Sequence, residues 1–332
     1  MCAAILVEPE LAPIPAVPEH FRDGRFFNPG VPEHNFSKAL KWMRTRQPGA
    51  WRAWIPSTPG PKPPERVHGR TLRVTFVNHA TVLLQTEGLN ILTDPVWSRR
   101  VSPVSFAGPQ RHRDPGLRFD DLAPIDALLI SHNHYDHLDL PTLRRIASTH
   151  APVVFCPLGV AKLLRSAGLR EVHELDWGQS LPWRDLRVHC VQAQHFAART
   201  PFDRNRTLWC GWVLESVSGT HAGNLYFAGD TGFGDFFSAI GARFAPLRLA
   251  LLPIGAYEPE WFMGPVHMTP EQAVEARVQL NAALAIGIHY GTFALADDGE
   301  TDPVERLQRA LRGRSDAERF WILQEGHGRE IP

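Results

Sequence analysis

Apolar and β-branched residues predict strand from Leu72 to Gln85, with a break at Asn78–His79. Shorter apolar strands are expected at Asn90–Thr93, which ends at Asp94–Pro95, and at Ala127–Ile130, which stops at Ser131. Pro141–Ser148 reads as a helix with proline in its first turn, Val153–Cys156 as strand, and Leu158–Ala167 as helix closed by Gly168. Arg187–Gln192 and Gly211–Ser216 alternate as half-buried strands. Three more apolar strands follow at Asn224–Ala228, Leu249–Pro253 and Ala285–Ile288, ending at Gly229–Asp230, Ile254 and His289. Thr269–Pro270–Glu271–Gln272 carries a capping box, so a helix should run to about Leu280. Asp302–Pro303 opens a last helix that stops near Gly313. This alternation predicts an α/β fold, a sheet with helices outside.

Before Leu72 the pattern is different. Pro9, Pro13, Pro15, Pro18, Pro29 and Pro32 forbid a long helix, so residues 1–35 read as an extended arm. A short helix is expected at Phe36–Arg46, followed by the proline-rich loop Pro56–Pro64. We therefore divide the chain into an arm, 1–71, packed on or leading into the core, and one domain, 72–332. The start shows no basic region and only a short apolar stretch, so no signal peptide is expected, and no run reaches the ~20 apolar residues of a membrane span. Cys2, Cys156, Cys190 and Cys210 show no CxxC spacing and read as free thiols, the last three buried in strands. A reduced, cytoplasmic protein is the expectation. The 35 basic and 35 acidic residues balance, which disfavours nucleic acid as a partner.

The chemistry concentrates in Ser131–His132–Asn133–His134–Tyr135–Asp136–His137, straight after a buried strand. Imidazole and carboxylate are ligands for zinc-type ions. His132 and His134 point the same way in an extended segment and can share one ion, and Asp136 and His137 lie past the bend and can reach a second. Four polar groups beside a core strand are costly unless bound. Further candidates stand at or beyond strand ends: His195, Asp230, set by Gly229, and His289.

This ordered set, HxHxDH then His, Gly–Asp and His, resembles the metallo-β-lactamase fold superfamily from about Leu72 to Gly328. The resemblance implies a four-layer αββα sandwich. It also implies a first zinc ion on His132, His134 and His195, a second on Asp136, His137 and His289, and Asp230 bridging both. Asn78–His79–Ala80–Thr81, Leu92–Thr93–Asp94–Pro95, Gly108–Pro109–Gln110–Arg111, Pro253–Ile254–Gly255–Ala256–Tyr257–Glu258–Pro259, Trp261–Phe262–Met263 and His289–Tyr290–Gly291–Thr292–Phe293 narrow it. Together they resemble the N-acylphosphatidylethanolamine-hydrolysing phospholipase D family and its bacterial relatives. That resemblance implies a zinc-dependent hydrolase of a phospholipid, releasing N-acylethanolamine and phosphatidic acid, with a peripheral membrane contact and a homodimer. Asp139 stands where many superfamily members carry glycine, which disfavours lactamases and thioesterases. Manganese or iron could replace zinc. The alternatives are the same fold acting on a lactone, a cyclic phosphate or a nucleic-acid phosphodiester, or a non-catalytic metal-binding protein.

Two ions about 3.5–4 Å apart hold a hydroxide near neutral pH, so no serine or cysteine nucleophile is required. Asp136 and Asp230 serve this chemistry directly. Asp94 reads either as a partner fixing a ligand histidine or as a turn cap before proline. His267 aligns with a family histidine and reads as a phosphate contact or leaving-group acid, or as a surface residue at a helix start. His79 is a candidate at the site's edge. Tyr257 and Tyr290 are candidate phosphate donors or core residues, and Arg111 and Arg113 candidate anion-steering groups or solvated side chains. Trp51 and Trp54 beside the arm are better read as packing than as a membrane contact.

Overall fold

The computed structural model describes residues 19–32, 36–217 and 223–332. Cys2 and the prolines up to Pro18 lie outside the described residues. The described start of the arm is not simply extended. Strands β1 (Phe21–Arg22) and β2 (Arg25–Phe26) form an antiparallel hairpin. Asp23–Gly24 turns it, with φ of 52° and 74°, the double positive φ of the tight hairpin turn that Asp-Gly favours. Phe26 seats the hairpin on Trp209, Leu208 and Ala193. Helix α1 (Phe36–Thr45) follows as expected.

Two seven-stranded sheets carry the rest. The first contains β3 (Leu72–Asn78), β4 (Thr81–Thr86), β5 (Leu89–Thr93), β6 (Ala127–Leu129), β7 (Val153–Pro157), β8 (Val172–Leu175) and β16 (Gly328–Ile331). The second contains β9 (Ser180–Trp183), β10 (Leu186–Val191), β11 (Gly211–Ser216), β12 (Asn224–Phe227), β13 (Leu247–Pro253), β14 (Ala282–Ile288) and β15 (Phe320–Trp321). The orders are β16-β3-β4-β5-β6-β7-β8 and β15-β14-β13-β12-β11-β10-β9. The predicted strand from Leu72 to Gln85 is two antiparallel strands, because His79, with φ at 48°, reverses the chain.

Strand alternation sorts side chains into two apolar layers. Val74, Phe76, Val82, Leu84, Ile91, Leu129 and Phe155 face inward against Trp212, Leu214, Leu225 and Phe227 of the second sheet. Their neighbours Val77, Leu83, Leu92, Leu128, Val154 and Cys156 face outward onto helices α2 (Leu140–Thr149) and α3 (Ala161–Ser166). On the far side α4 (Phe236–Phe244), α6 (Pro270–Gln279) and α7 (Asp302–Leu311) cover the second sheet through Phe237, Ile240, Ala273, Val274 and Leu307. The short α5 (Glu260–Met263) lies between β13 and α6. The α6 capping box forms as predicted, with Thr269 and Gln272 bonded reciprocally. The layers are therefore helix, sheet, sheet and helix, the αββα sandwich expected from the sequence. Cys156, Cys190 and Cys210 are buried free thiols.

Residues 46–52 strap the arm to the loop before α7. Arg46 Nε donates to Asp297 at 2.8 Å, the Trp51 indole to the Asp298 carbonyl at 3.0 Å, and Arg52 Nε to both Glu300 oxygens at 3.1 and 3.0 Å. The Arg52 hydrogen bonds hold Glu300 below its usual carboxylate range. A depressed folded-state pKa contributes stability above the unfolded value, near ~4.3, and loses it as pH falls through the folded one. Proteolysis within the strap should therefore accelerate below that pH in the wild type. In Glu300→Gln it should be faster at neutral pH and respond less to acid, only the Arg46–Asp297 pair remaining to titrate. Equal pH profiles would remove this clasp as the arm's fastening.

Candidate metal centre

Strand ends from both sheets converge on one edge. Ser131–His137 leaves β6, Asp94 follows β5 and His79 turns β3 into β4; His195, Asp230 and His289 follow β10, β12 and β14. Several sit on strained backbone, with φ at 48° for His79, 29° for Asp94 and 61° for His289. Gly229, with φ at 62°, lets Asp230 approach the motif loop, since a Cβ there would stand 2.5 Å from Ser131 Cβ.

The ring nitrogens converge in two groups. His132 Nε2 and His195 Nε2 lie 2.8 and 3.3 Å from His134 Nδ1. On the other side Asp136 Oδ2 lies 3.3 Å from His137 Nε2, 3.5 Å from His289 Nε2 and 2.9 Å from His79 Nε2. Asp230 Oδ2 stands between the groups, 3.1 Å from His137, 3.0 Å from His289, 3.8 Å from His195 and 4.0 Å from His132. All seven residues named from the sequence meet here. His79 belongs to the second group rather than to the site's edge.

Acceptors behind the rings fix which nitrogen faces inward. His195 Nδ1 donates to the Val266 carbonyl at 2.9 Å, and His137 Nδ1 to Asp94 Oδ2 at 2.6 Å. The Ser131 hydroxyl donates to Asp94 at 2.5 Å and accepts from His132 Nδ1 at 2.9 Å. Each Nε2 is thereby turned toward the cluster, where an ion can replace a proton. His137 Nε2, His289 Nε2 and Asp230 Oδ1 are buried without a hydrogen-bond partner. Orphaned polar atoms of this kind are expensive unless an ion satisfies them. An all-imidazole-and-carboxylate set fits zinc, manganese or iron.

Burial holds His132 and His195 well below the usual imidazole range and His134 at about 4. For His137 and His289 burial pulls down too, but the Asp230 and Asp136 carboxylates outweigh it, raising His137 well above its usual value and His289 to about 9. Desolvation works against Asp136 and Asp230 as charges, yet the facing His137 ring holds both well below the carboxylate range. Such a cluster exchanges protons for cations, so metal affinity falls as pH falls.

His267 lines the same cavity, its ring 5.0 Å from that of His195 and 5.3 Å from that of His289, and burial holds it at about 4. The cavity, of about 510 Å³, has apolar walls from Trp42, Phe196, Phe262, Met263, Val266 and Leu295. Other candidates fall elsewhere. Arg111 is buried, donating to the carbonyls of Ser98 and Val96, and Arg113 pairs with Glu325, so neither steers an anion to this site. Tyr290 stacks on Phe76 in the core, and Tyr257 lies under Arg306. Asp139 accepts from Trp97 N, Ser98 N, Ser98 Oγ and Thr142 Oγ1, fastening the motif loop to the segment after Asp94. Trp51 packs on His112, and Trp54 is partly exposed at a shallow cleft with Trp97.

Arg199 belongs to none of the motifs read from the sequence. Its guanidinium lies 3.8 Å over the Tyr135 ring and donates to the carbonyls of Asn133 and Leu138 at 2.7 and 2.9 Å, while the Tyr135 hydroxyl donates back to the Arg199 carbonyl at 3.0 Å. This clasp joins the HxHxDH loop to the loop carrying His195. Arg199→Ala should weaken zinc binding by roughly 10–100-fold, the usual scale for removing a partner behind metal ligands. Competition titration with a chromophoric chelator measures it, and an unchanged affinity would make the clasp dispensable.

Residues 89–290 match the beta-lactamase superfamily domain. The chain is 40% identical over 257 residues to N-acyl-phosphatidylethanolamine-hydrolyzing phospholipase D 1 of Caenorhabditis elegans, covering 74% of this chain and 71% of that one. It is 38% identical over 318 residues to an uncharacterised protein of Mycobacterium tuberculosis, covering 91% and 82% of the two chains. The metallo hydrolase Igni18 of Ignicoccus hospitalis shares the fold, with a TM-score of 0.58 at 21% identity over 79% of this chain and 99% of that one.

Proposed function

We propose, for a chain that belongs to the beta-lactamase superfamily and within it to the N-acyl-phosphatidylethanolamine-hydrolysing phospholipase D family, that this metal-dependent hydrolase cleaves an N-acylated phosphatidylethanolamine into N-acylethanolamine and phosphatidic acid. The observation that carries the reading is the position of Asp230 Oδ2, within 4.0 Å of two ring nitrogens from each histidine group. His132, His134 and His195 would hold one zinc ion, Asp136, His137 and His289 a second, and Asp230 would bridge them. When bound, such a pair supplies Lewis acidity and a hydroxide at neutral pH.

The chain's own residues do the rest. Asp94 and Ser131 keep His137 and His132 in the tautomer whose inner nitrogen is free. His79 steadies the Asp136 carboxylate from the far side. His267, neutral through burial and with an unpartnered Nδ1, offers a donor to a phosphoryl oxygen. The apolar walls exclude water and accept acyl chain. The oxygen of water joins phosphorus as the bond from phosphorus to the ethanolamine oxygen breaks, and a proton from that water ends on the departing oxygen to give the alcohol.

The test is product analysis by mass spectrometry with metal content determined in parallel. Two zinc ions per chain and paired release of N-acylethanolamine and phosphatidic acid are expected. Zinc-loaded protein that leaves this lipid intact but turns over a soluble phosphodiester or lactone would end the lipid reading and keep the hydrolase.

A further inference from the structure

The hairpin of the arm grips the loop that carries a metal ligand, and we propose that Asn28 is a positioning residue for the metal centre, holding the backbone of His195 in place. The inference rests on the two-ion reading above and adds a residue of the arm to it. Asn28 Nδ2 donates to the His195 carbonyl at 2.7 Å. Its Oδ1 accepts from the Trp209 indole at 3.0 Å, and the same indole donates to the Ala193 carbonyl at 3.1 Å. Trp209 is buried, so it stands as a fixed post between arm and loop. An indole N–H can only donate, so the amide oxygen of Asn28 faces it and the amide nitrogen is left for His195. The turn behind is equally determined. Asn28–Pro29–Gly30–Val31 closes with Val31 N on the Asn28 carbonyl at 3.2 Å, and Gly30, with φ at 75°, stands where a type II turn requires positive φ.

A second grip runs beside the first. Phe26 N donates to the Asn205 carbonyl at 2.7 Å, and Asn205 N donates to the Ala197 carbonyl, also at 2.7 Å. The foot of the hairpin is tied to the same post. His20 Nε2 pairs with Asp176 Oδ1 at 2.7 Å, its ring stacks on Trp177 at 4.2 Å, and the Trp177 indole donates to the Trp209 carbonyl at 2.7 Å. Phe26 supplies the apolar packing of the hairpin. Asn28 is half-buried and spends both ends of its amide on this loop, which packing alone does not ask of it. The His195 ring is held at Nδ1 by the Val266 carbonyl, 2.9 Å away, and the residue before it by Gln194 N donating to Thr231 Oγ1 at 2.9 Å. Asn28 fixes the peptide on the other side. With all three held, His195 Nε2 stands 3.3 Å from His134 Nδ1 and 3.8 Å from Asp230 Oδ2. Freeing that peptide lets the ring swing about its Val266 bond, and a ligand that must be ordered again on binding costs affinity.

The test compares Asn28→Asp with the wild-type full chain by competition titration with zinc, and reads the visible spectrum of the cobalt-loaded proteins beside it. No lipid is used, so the outcome is independent of the substrate. Aspartate keeps the acceptor for the Trp209 indole and replaces the donor to His195 with an oxygen that repels its carbonyl. Affinity for one of the two ions should fall roughly 10–100-fold, the scale of losing a partner behind a metal ligand, and affinity for the other should fall less. The cobalt bands should change in position and intensity, because they follow ligand geometry. The urea midpoint of the metal-free protein should stay close to that of the wild type, since the Trp209 bond and the Phe26 packing remain. Asn28→Ala, which also strips the Trp209 indole of this acceptor, should lose as much zinc affinity and have a lower midpoint. Variants that bind both ions like the wild type, with unchanged cobalt bands, would overturn the proposal. A lower midpoint with affinity and bands intact would overturn it too, since packing alone predicts that result. A wild type that takes up no zinc would overturn the metal centre and this role together.

Discussion

Asp230→Asn should lower kcat by roughly 10²–10⁴, the several kcal/mol a dinuclear centre contributes to the transition state. The substitution is nearly isosteric, so packing is kept. The carboxylate oxygen it alters lies within 4.0 Å of two ring nitrogens from each histidine group. An amide carries no charge to hold two cations together, and its NH₂ group would face rings whose inner nitrogens are lone pairs. We expect the metal content to fall from two ions toward one or none. Chelation of the wild type should produce the same loss, reversed by adding zinc, whereas added zinc should not rescue Asp230→Asn. A variant that keeps two zinc ions and turns over within tenfold of the wild type would remove Asp230 from the centre.

Local sequence shows what local geometry decides. His132, His134, Asp136 and His137 fall within six residues on one turn, so their shared purpose is visible before any fold is known. His195, Asp230 and His289 are visible because each ends an apolar run, and parallel strands of one sheet bring such ends to one edge. The pairing of His79 with Asp136 is different: 57 residues separate them, and only the reversal at His79 turns the ring inward. The cavity wall at Trp42 was equally hidden. That helix comes from the proline-rich arm, and its place is set by distant ties, Arg46 to Asp297 and Trp42 stacked on Phe262. Helix α4 was missed because Phe236–Phe244 is apolar nearly all round and holds Gly241. The glycine is a packing requirement, since a Cβ there would stand 2.2 Å from the Gln279 carbonyl of α6. Strands β8, β9, β15 and β16 are two to four residues long, too short for period to declare itself. Arg111 looked like a surface cation, and its burial is legible only once the carbonyls of Val96 and Ser98 are seen around it.

Asp94 should separate stability from metal binding when two substitutions are compared. The residue is buried and accepts from Ser131 N at 2.8 Å, Ser131 Oγ at 2.5 Å and His137 Nδ1 at 2.6 Å. Burial pushes its carboxyl upward, and the His137 ring with the two Ser131 donors pulls against that rise. Asp94→Ala strands three buried donors and should cost about 3–5 kcal/mol, the scale of removing one partner from a buried charged network. Asp94→Asn keeps the volume and an acceptor for Ser131, so its cost should be smaller. Its amide nitrogen, however, meets His137 Nδ1 as a donor and forces the proton to Nε2, the nitrogen that faces Asp230. His137 would then present N–H where a lone pair is needed. Asp94→Asn should therefore lose zinc affinity as Asp94→Ala does, by roughly 10–100-fold, while unfolding in urea close to the wild-type midpoint of the metal-free protein. If Asp94→Asn binds zinc normally, the aspartate caps a turn and does not set the tautomer of His137.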